Sequence, residues 1–113
     1  MHEIQIAGEL SVIVLEVAER EKLSVVTGVD IIFGKMIQVV PEIFEFAFRA
    51  CVKDSIASDA KLNIEILPVR VRCMECDEEI DLTDFWFVCS KCNSTNLTMI
   101  QGKEMYVKSI EGE

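Results

Sequence analysis

Near the start of the chain, Ile6, Leu10, Ile13 and Val17 recur at three- and four-residue steps, while Gln5, Glu9, Glu16 and Arg20 line another stripe. This periodicity predicts an amphipathic helix from Glu3 to about Glu19. Val12 and Leu15 widen its apolar face and imply cover on more than one side. Between Leu23 and Phe33 the period changes: β-branched residues dominate, and Val29, Ile31 and Phe33 alternate with Asp30 and Ile32. That segment reads as a strand, ended by Gly34. Met36 to Val40 is apolar without a period and reads as a loop.

Pro41-Glu42 marks a helix start, with proline at the first helical position and a carboxylate near the positive end of the dipole. Phe44, Ala47, Phe48 and Cys51 follow as a core-packing stripe, and the polar run from Lys53 to Lys61 closes the helix. Cys51 on that stripe reads as a small buried hydrophobe. Leu62, Ile64 and Ile66 then alternate with Asn63 and Glu65 in a second strand. Pro68 makes it an edge or a bulge, and Val69 to Arg72 carries the alternation on to Cys73. A third strand is expected from Leu97 to Ile110, bent at Gly102. The order predicts an α+β fold: a three-stranded sheet packed by two helices, with an inserted four-cysteine module resembling a zinc ribbon. Residues 1–72 and 97–113 would form the body, and residues 73–96 the module.

That module carries the clearest chemistry. Cys73-Met-Glu-Cys76, twelve residues, then Cys89-Ser-Lys-Cys92 is the spacing of paired metal knuckles. Each pair turns tightly enough to aim two sulfurs at one point, and two such turns close a tetrahedron around Zn(II). A thioredoxin-like redox site would explain one pair and leave the other unused. A rubredoxin-like iron centre that carries electrons stays open at this point, because sulfur ligands alone do not separate iron from zinc. A closed four-cysteine set is the usual structural zinc arrangement. The intervening segment, Asp77 to Val88, is not expected to build a core of its own, so the metal would have to organise it and metal-binding free energy would be largely folding free energy.

Composition narrows the function. The 113 residues, half of them apolar, amount to one ordinary domain, or a small domain with a satellite. The formal net charge is −9, and four zinc-bound thiolates with one divalent ion would make it more negative. Such a field repels phosphate backbones and argues against nucleic acid as a partner. No secretory signal and no stretch of membrane-spanning length is visible, so a cytoplasmic protein without a membrane partner is expected. No nucleophile paired with a base and no phosphate-cradling loop occurs, so the expected function is not enzymatic.

The sole histidine is His2. In a chain beginning Met1-His2-Glu3, the Met1 amine, the His2 amide nitrogen and the His2 imidazole can wrap one ion in fused chelate rings. Deprotonating a backbone amide requires a strongly polarising ion that favours nitrogen donors in a plane, which suits Ni(II) or Cu(II). The Glu3 amide or carboxylate could complete the set.

Met1-His2-Glu3, the run Val40-Pro-Glu-Ile-Phe-Glu-Phe-Ala-Phe48, and Leu62 through Cys73 together resemble the HypA family, and the paired cysteines and the closing Gln101 to Glu111 fit the same pattern. The likeness spans nearly the whole chain and keeps its motifs in order. It implies a nickel metallochaperone for nickel–iron hydrogenase and, in some bacteria, urease. By this resemblance His2 is the essential nickel ligand, with Glu3 and the Met1 amine contributing. Cys73, Cys76, Cys89 and Cys92 hold structural zinc, and residues 1–72 and 97–113 form the nickel-binding part. Implied partners are the HypB GTPase, the hydrogenase large subunit and urease accessory proteins. Several family members carry a carboxylate just before the second helix, where this chain has Val40. The competing function is a zinc-stabilised interaction adaptor in which His2 plays no part. The chain is expected as a monomer or weak homodimer, with exposed strand edges beside the knot open to exchange.

Overall fold

The computed structural model describes residues 2–83 and 85–113. It contains two helices and two three-stranded sheets: α1 (His2–Arg20), β1 (Val26–Gly34), a short 3-10 turn (Lys35–Ile37), α2 (Pro41–Val52), β2 (Lys61–Leu67), β3 (Val69–Cys73), β4 (Glu79–Leu82), β5 (Leu97–Gln101) and β6 (Met105–Gly112). The α+β class is as expected. The chain divides into two compact units, the first of Met1–Ile32, Val39–Glu65 and Met105–Glu113, the second of Phe33–Gln38 and Ile66–Glu104.

In the first unit, α1 packs against α2 and β6. The buried residues of α1 are Glu3, Ile6, Ala7, Leu10, Ser11, Val14 and Ala18. Ile13 is exposed, so the core-facing stripe runs through Val14 instead of the expected Ile13 and Val17. Small residues at 7, 11 and 18 let a neighbour approach closely, a preference that apolar counting does not register. In α2 the core stripe is Phe44, Ala47, Phe48 and Val52. Phe44 and Phe48 stack one turn apart, with centroids 5.9 Å apart and planes tilted by 30°. Burying such a ring stabilises the fold by roughly 1.5–3 kcal/mol. Cys51, expected inside, is exposed, because the stripe continues by a four-residue step to Val52.

The sheet of this unit has the order β2-β1-β6. Asp30 on β1 ties its neighbours together, accepting hydrogen bonds from Asn63 Nδ2 at 2.8 Å and Ser109 Oγ at 2.6 Å. These donors, Ser109 first, hold the Asp30 carboxyl below its ordinary value.

The second unit holds an antiparallel sheet of order β4-β3-β5. Two strands expected to be continuous are broken here. Pro68 has no N–H to give a ladder, and β2 ends before it while β3 begins after it in the other sheet. Gly102, at φ +138°, likewise separates β5 from β6. Gly34 is confined by the same corner: a Cβ there would lie 2.1 Å from the Gly102 carbonyl group. The unit's core is Val69, Val71 and Leu82, flanked by Met36, Ile80, Leu97 and Met99. β4 was not expected; its Ile80 and Leu82 alternate toward this core while Glu79 and Asp81 face out to Arg72 and Arg70.

Candidate metal centres

The knot is built from two knuckles with the same backbone. In the first, the Asp77 N–H donates to the Cys73 carbonyl and the Cys73 N–H to the Glu78 carbonyl, at 2.9 and 2.8 Å. In the second, Asn93 and Ser94 repeat those bonds with Cys89, both at 2.8 Å. The residue after each second cysteine turns left-handed, Asp77 at φ 63° and Asn93 at φ 62°. Aspartate and asparagine are the non-glycine residues that tolerate this region best. An Asx after each Cys-x-x-Cys is therefore part of the motif, and that signal was legible in the sequence although the cysteine spacing alone does not include it.

These turns bring the four sulfurs to within 4.8 Å of one another. Cys73 Sγ lies 3.5 Å from Cys92 Sγ, and Cys76 Sγ lies 3.7 Å from Cys89 Sγ. Tetrahedral Zn–S bonds of about 2.3 Å separate their sulfurs by about 3.8 Å, so the donor set fits zinc. Cys73 and Cys89 are buried, while Cys92 is exposed and Cys76 lies between.

Backbone amides converge on the sulfurs with the same symmetry. The Cys73 thiol is held down to about 6, first by the Cys76 amide and, against burial, by the Glu75 amide. Cys89 is lowered by the corresponding Lys91 and Cys92 amides. At Cys92 the Ser94 amide lowers the thiol, but the Cys73 sulfur and burial outweigh it and push it up to about 12. Amides aimed at sulfur favour thiolate, the form that binds metal. Lys91 Nζ reaches Glu78 Oε1 at 3.0 Å and so links the two knuckles.

The expected nickel ligands are placed differently. Met1 lies outside the described residues. His2 opens α1 with a side chain that is 53% exposed, its Nε2 3.8 Å from Glu3 Oε2. Glu3 points inward and is only 7% exposed. Its Oε2 accepts a hydrogen bond from the Val40 N–H at 3.0 Å. That contact, ahead of the bond to Glu3's own amide, lowers its carboxyl. Val40 is the N-cap of α2 and has no capping side chain of its own. Glu3 thus brings a carboxylate from the first turn of α1 to the start of α2. Sequence reading assigns Glu3 to metal and misses this latch, whose one legible sign is a helix start lacking its own cap.

Comparison with known proteins agrees with this architecture. Residues 1–112 match a family model described as hydrogenase/urease nickel incorporation, metallochaperone, hypA. The hydrogenase maturation factor HypA of Moorella thermoacetica is 34% identical over 113 residues, covering all of both chains. That of Desulfatibacillum aliphaticivorans is 37% identical over 112 residues, 98% of this chain and 86% of its own. The solution structure of the Ni metallochaperone HypA from Helicobacter pylori superposes with a TM-score of 0.68 at 26% identity, covering 97% of this chain and 96% of that one. A match that runs from one end of the sequence to the other, in sequence and in fold alike, establishes that the chain belongs to the HypA family.

Proposed function

We propose that this chain carries Ni(II) at its N-terminus and delivers it for the maturation of nickel–iron hydrogenase. Cys73, Cys76, Cys89 and Cys92 hold a structural Zn(II) in the 73–96 module. The Met1 amine and the His2 amide and imidazole form the nickel site, with Glu3 contributing from the body of residues 1–72 and 97–113. The observation that carries this reading is the exposed His2 imidazole on the first turn of a helix, beside a carboxylate already fixed in place.

The chemistry of a helix start supports it. The first amides of α1 have no intrahelical acceptor, so a nickel ion that takes the His2 amide nitrogen breaks no helical hydrogen bond. The positive end of the dipole disfavours a bare cation, and an amidate donor together with the Glu3 carboxylate offsets that charge. Release requires movement only at a chain end, and that suits a carrier that must give up its ion on docking. The HypB GTPase and the hydrogenase large subunit are the partners this role implies, with urease accessory proteins where urease is served, in a cytoplasmic setting.

Nickel titration by calorimetry on untagged protein tests the reading. His2→Ala and an extension placed before Met1 should each weaken nickel binding sharply, while zinc stays at one per chain. Amine, amide and imidazole must all lose protons, so affinity should drop steeply between about pH 7.5 and about pH 5. Nickel uptake that ignores both alterations would leave the zinc-stabilised adaptor as the function.

A further inference from the structure

His2 and Val40 converge on one atom of Glu3. Its Oε2 accepts the Val40 N–H at 3.0 Å and lies 3.8 Å from His2 Nε2. A carboxylate oxygen has two lone pairs, so the bond to Val40 leaves room for a second donor. The Glu3 side chain is buried and held, while the imidazole is half exposed and can turn. A small rotation of His2 is enough to bring Nε2 from 3.8 Å to hydrogen-bonding distance.

The chemistry of chelation says which ring nitrogen the ion would take. An imidazole shares an ion with the amide nitrogen of its own residue only through Nδ1, which closes a short chelate ring through Cα, Cβ and Cγ. Nε2 then keeps its proton and points away from the ion. Metal-bound imidazoles commonly donate that N–H to a carboxylate, which fixes the tautomer and makes the ligating nitrogen more basic. Glu3 Oε2 stands on the Nε2 side of the ring. To ligate the ion itself, this oxygen would have to leave the Val40 N–H, at the start of a helix that has no side-chain cap of its own.

We infer that Glu3 serves the nickel site as the acceptor of the His2 Nε2–H and not as a ligand. Val40 N–H holds the Glu3 carboxylate, the carboxylate holds the imidazole, and the imidazole presents Nδ1 to the ion. This deepens the reading of an N-terminal nickel site and rests on it. It also accounts for a valine at position 40: the backbone N–H there does the holding, and no carboxylate side chain is required.

The test uses untagged, zinc-loaded, full-length protein, made by joining a synthetic peptide of residues 1–50 to a fragment that begins at Cys51. That route allows either ring nitrogen of His2 to be methylated. Methylation at Nδ1 should abolish nickel uptake in calorimetry. Methylation at Nε2 leaves Nδ1 free and removes only the N–H, and should weaken nickel binding by about 10- to 100-fold. Glu3→Gln should weaken it comparably while leaving the absorption bands of bound nickel in place. Combined with Nε2 methylation it should add little further, because both changes remove the same contact. The inference is overturned if Nε2 methylation leaves the affinity unchanged. It is equally overturned if Glu3→Gln shifts the nickel bands, which would make the carboxylate a ligand. Nickel uptake indifferent to Nδ1 methylation would instead take the imidazole out of the site, and with it the reading on which this inference rests.

Discussion

His2 and Glu3 are adjacent in sequence and opposite in environment. The imidazole is half exposed, while the neighbouring carboxylate turns inward to the Val40 amide. Glu3→Gln keeps a carbonyl oxygen for that amide and should leave thermal stability close to wild type, whereas Glu3→Ala removes the acceptor and should lower Tm by several degrees. Differential scanning calorimetry of the two variants distinguishes a capping role from a purely ionic one. Asp30 offers a cleaner pH test. Its carboxyl is held below the ordinary value of 3.8 by Ser109 and Asn63. A lowered folded-state value means that the ionised group adds stability at higher pH and loses it as pH falls through that lowered value. The Tm gap between wild type and Ser109→Ala should therefore be full near neutrality and close below pH 3.8. A gap that persists unchanged in acid would mean that the hydrogen bond works without the charge.

At the scale of elements, the helices and strands follow from side-chain periodicity and the breaks between them from backbone chemistry. Phe48 is fully buried on the core face of α2, and Phe48→Ala should cost about 3–5 kcal/mol in urea unfolding. Two glycines should respond in opposite directions. Gly8 lies inside α1 with nothing within 4 Å of an added Cβ, so Gly8→Ala should gain about 0.5–1 kcal/mol. Gly34→Ala would drive a methyl into the Gly102 carbonyl, 2.1 Å away, and should lower the yield of folded protein or its Tm sharply. Elements expected from pattern alone were correct in kind: α1, α2 and β1 stand where the repeats place them. What the pattern missed was which apolar residues face inward. Ile13 and Cys51 satisfy the same spacing as Val14 and Val52, and the packing partner selects between them. A uniform alternation from Leu62 to Arg72 likewise concealed the break at Pro68, because alternation records sidedness and not which strand lies alongside.

At the scale of the whole molecule, each unit has its own means of staying folded. The first unit buries the aromatic face of α2 together with the inner stripe of α1. Among the described residues, the hydrophobic cluster of the second is small, Val69, Val71 and Leu82 with their flanking neighbours, so a metal held by the four gathered cysteines would add to its stability. Stripping zinc with a chelator, or introducing Cys89→Ser, should abolish amide-exchange protection in β3, β4 and β5 while α1 and α2 keep theirs. Uniform loss of protection across both units would show instead that the chain unfolds as one. By itself the sequence determined the fold class and the four cysteines whose sulfurs gather at one point, because repeat period and knuckle spacing are both local. Only the tertiary structure decided that the strands divide between two sheets at Pro68 and Gly102, that Glu3 latches the start of α2, and that Phe46 is left in solvent. Each of those outcomes depends on what residues distant in sequence place beside a given side chain, and periodicity along a single segment carries no record of its neighbours.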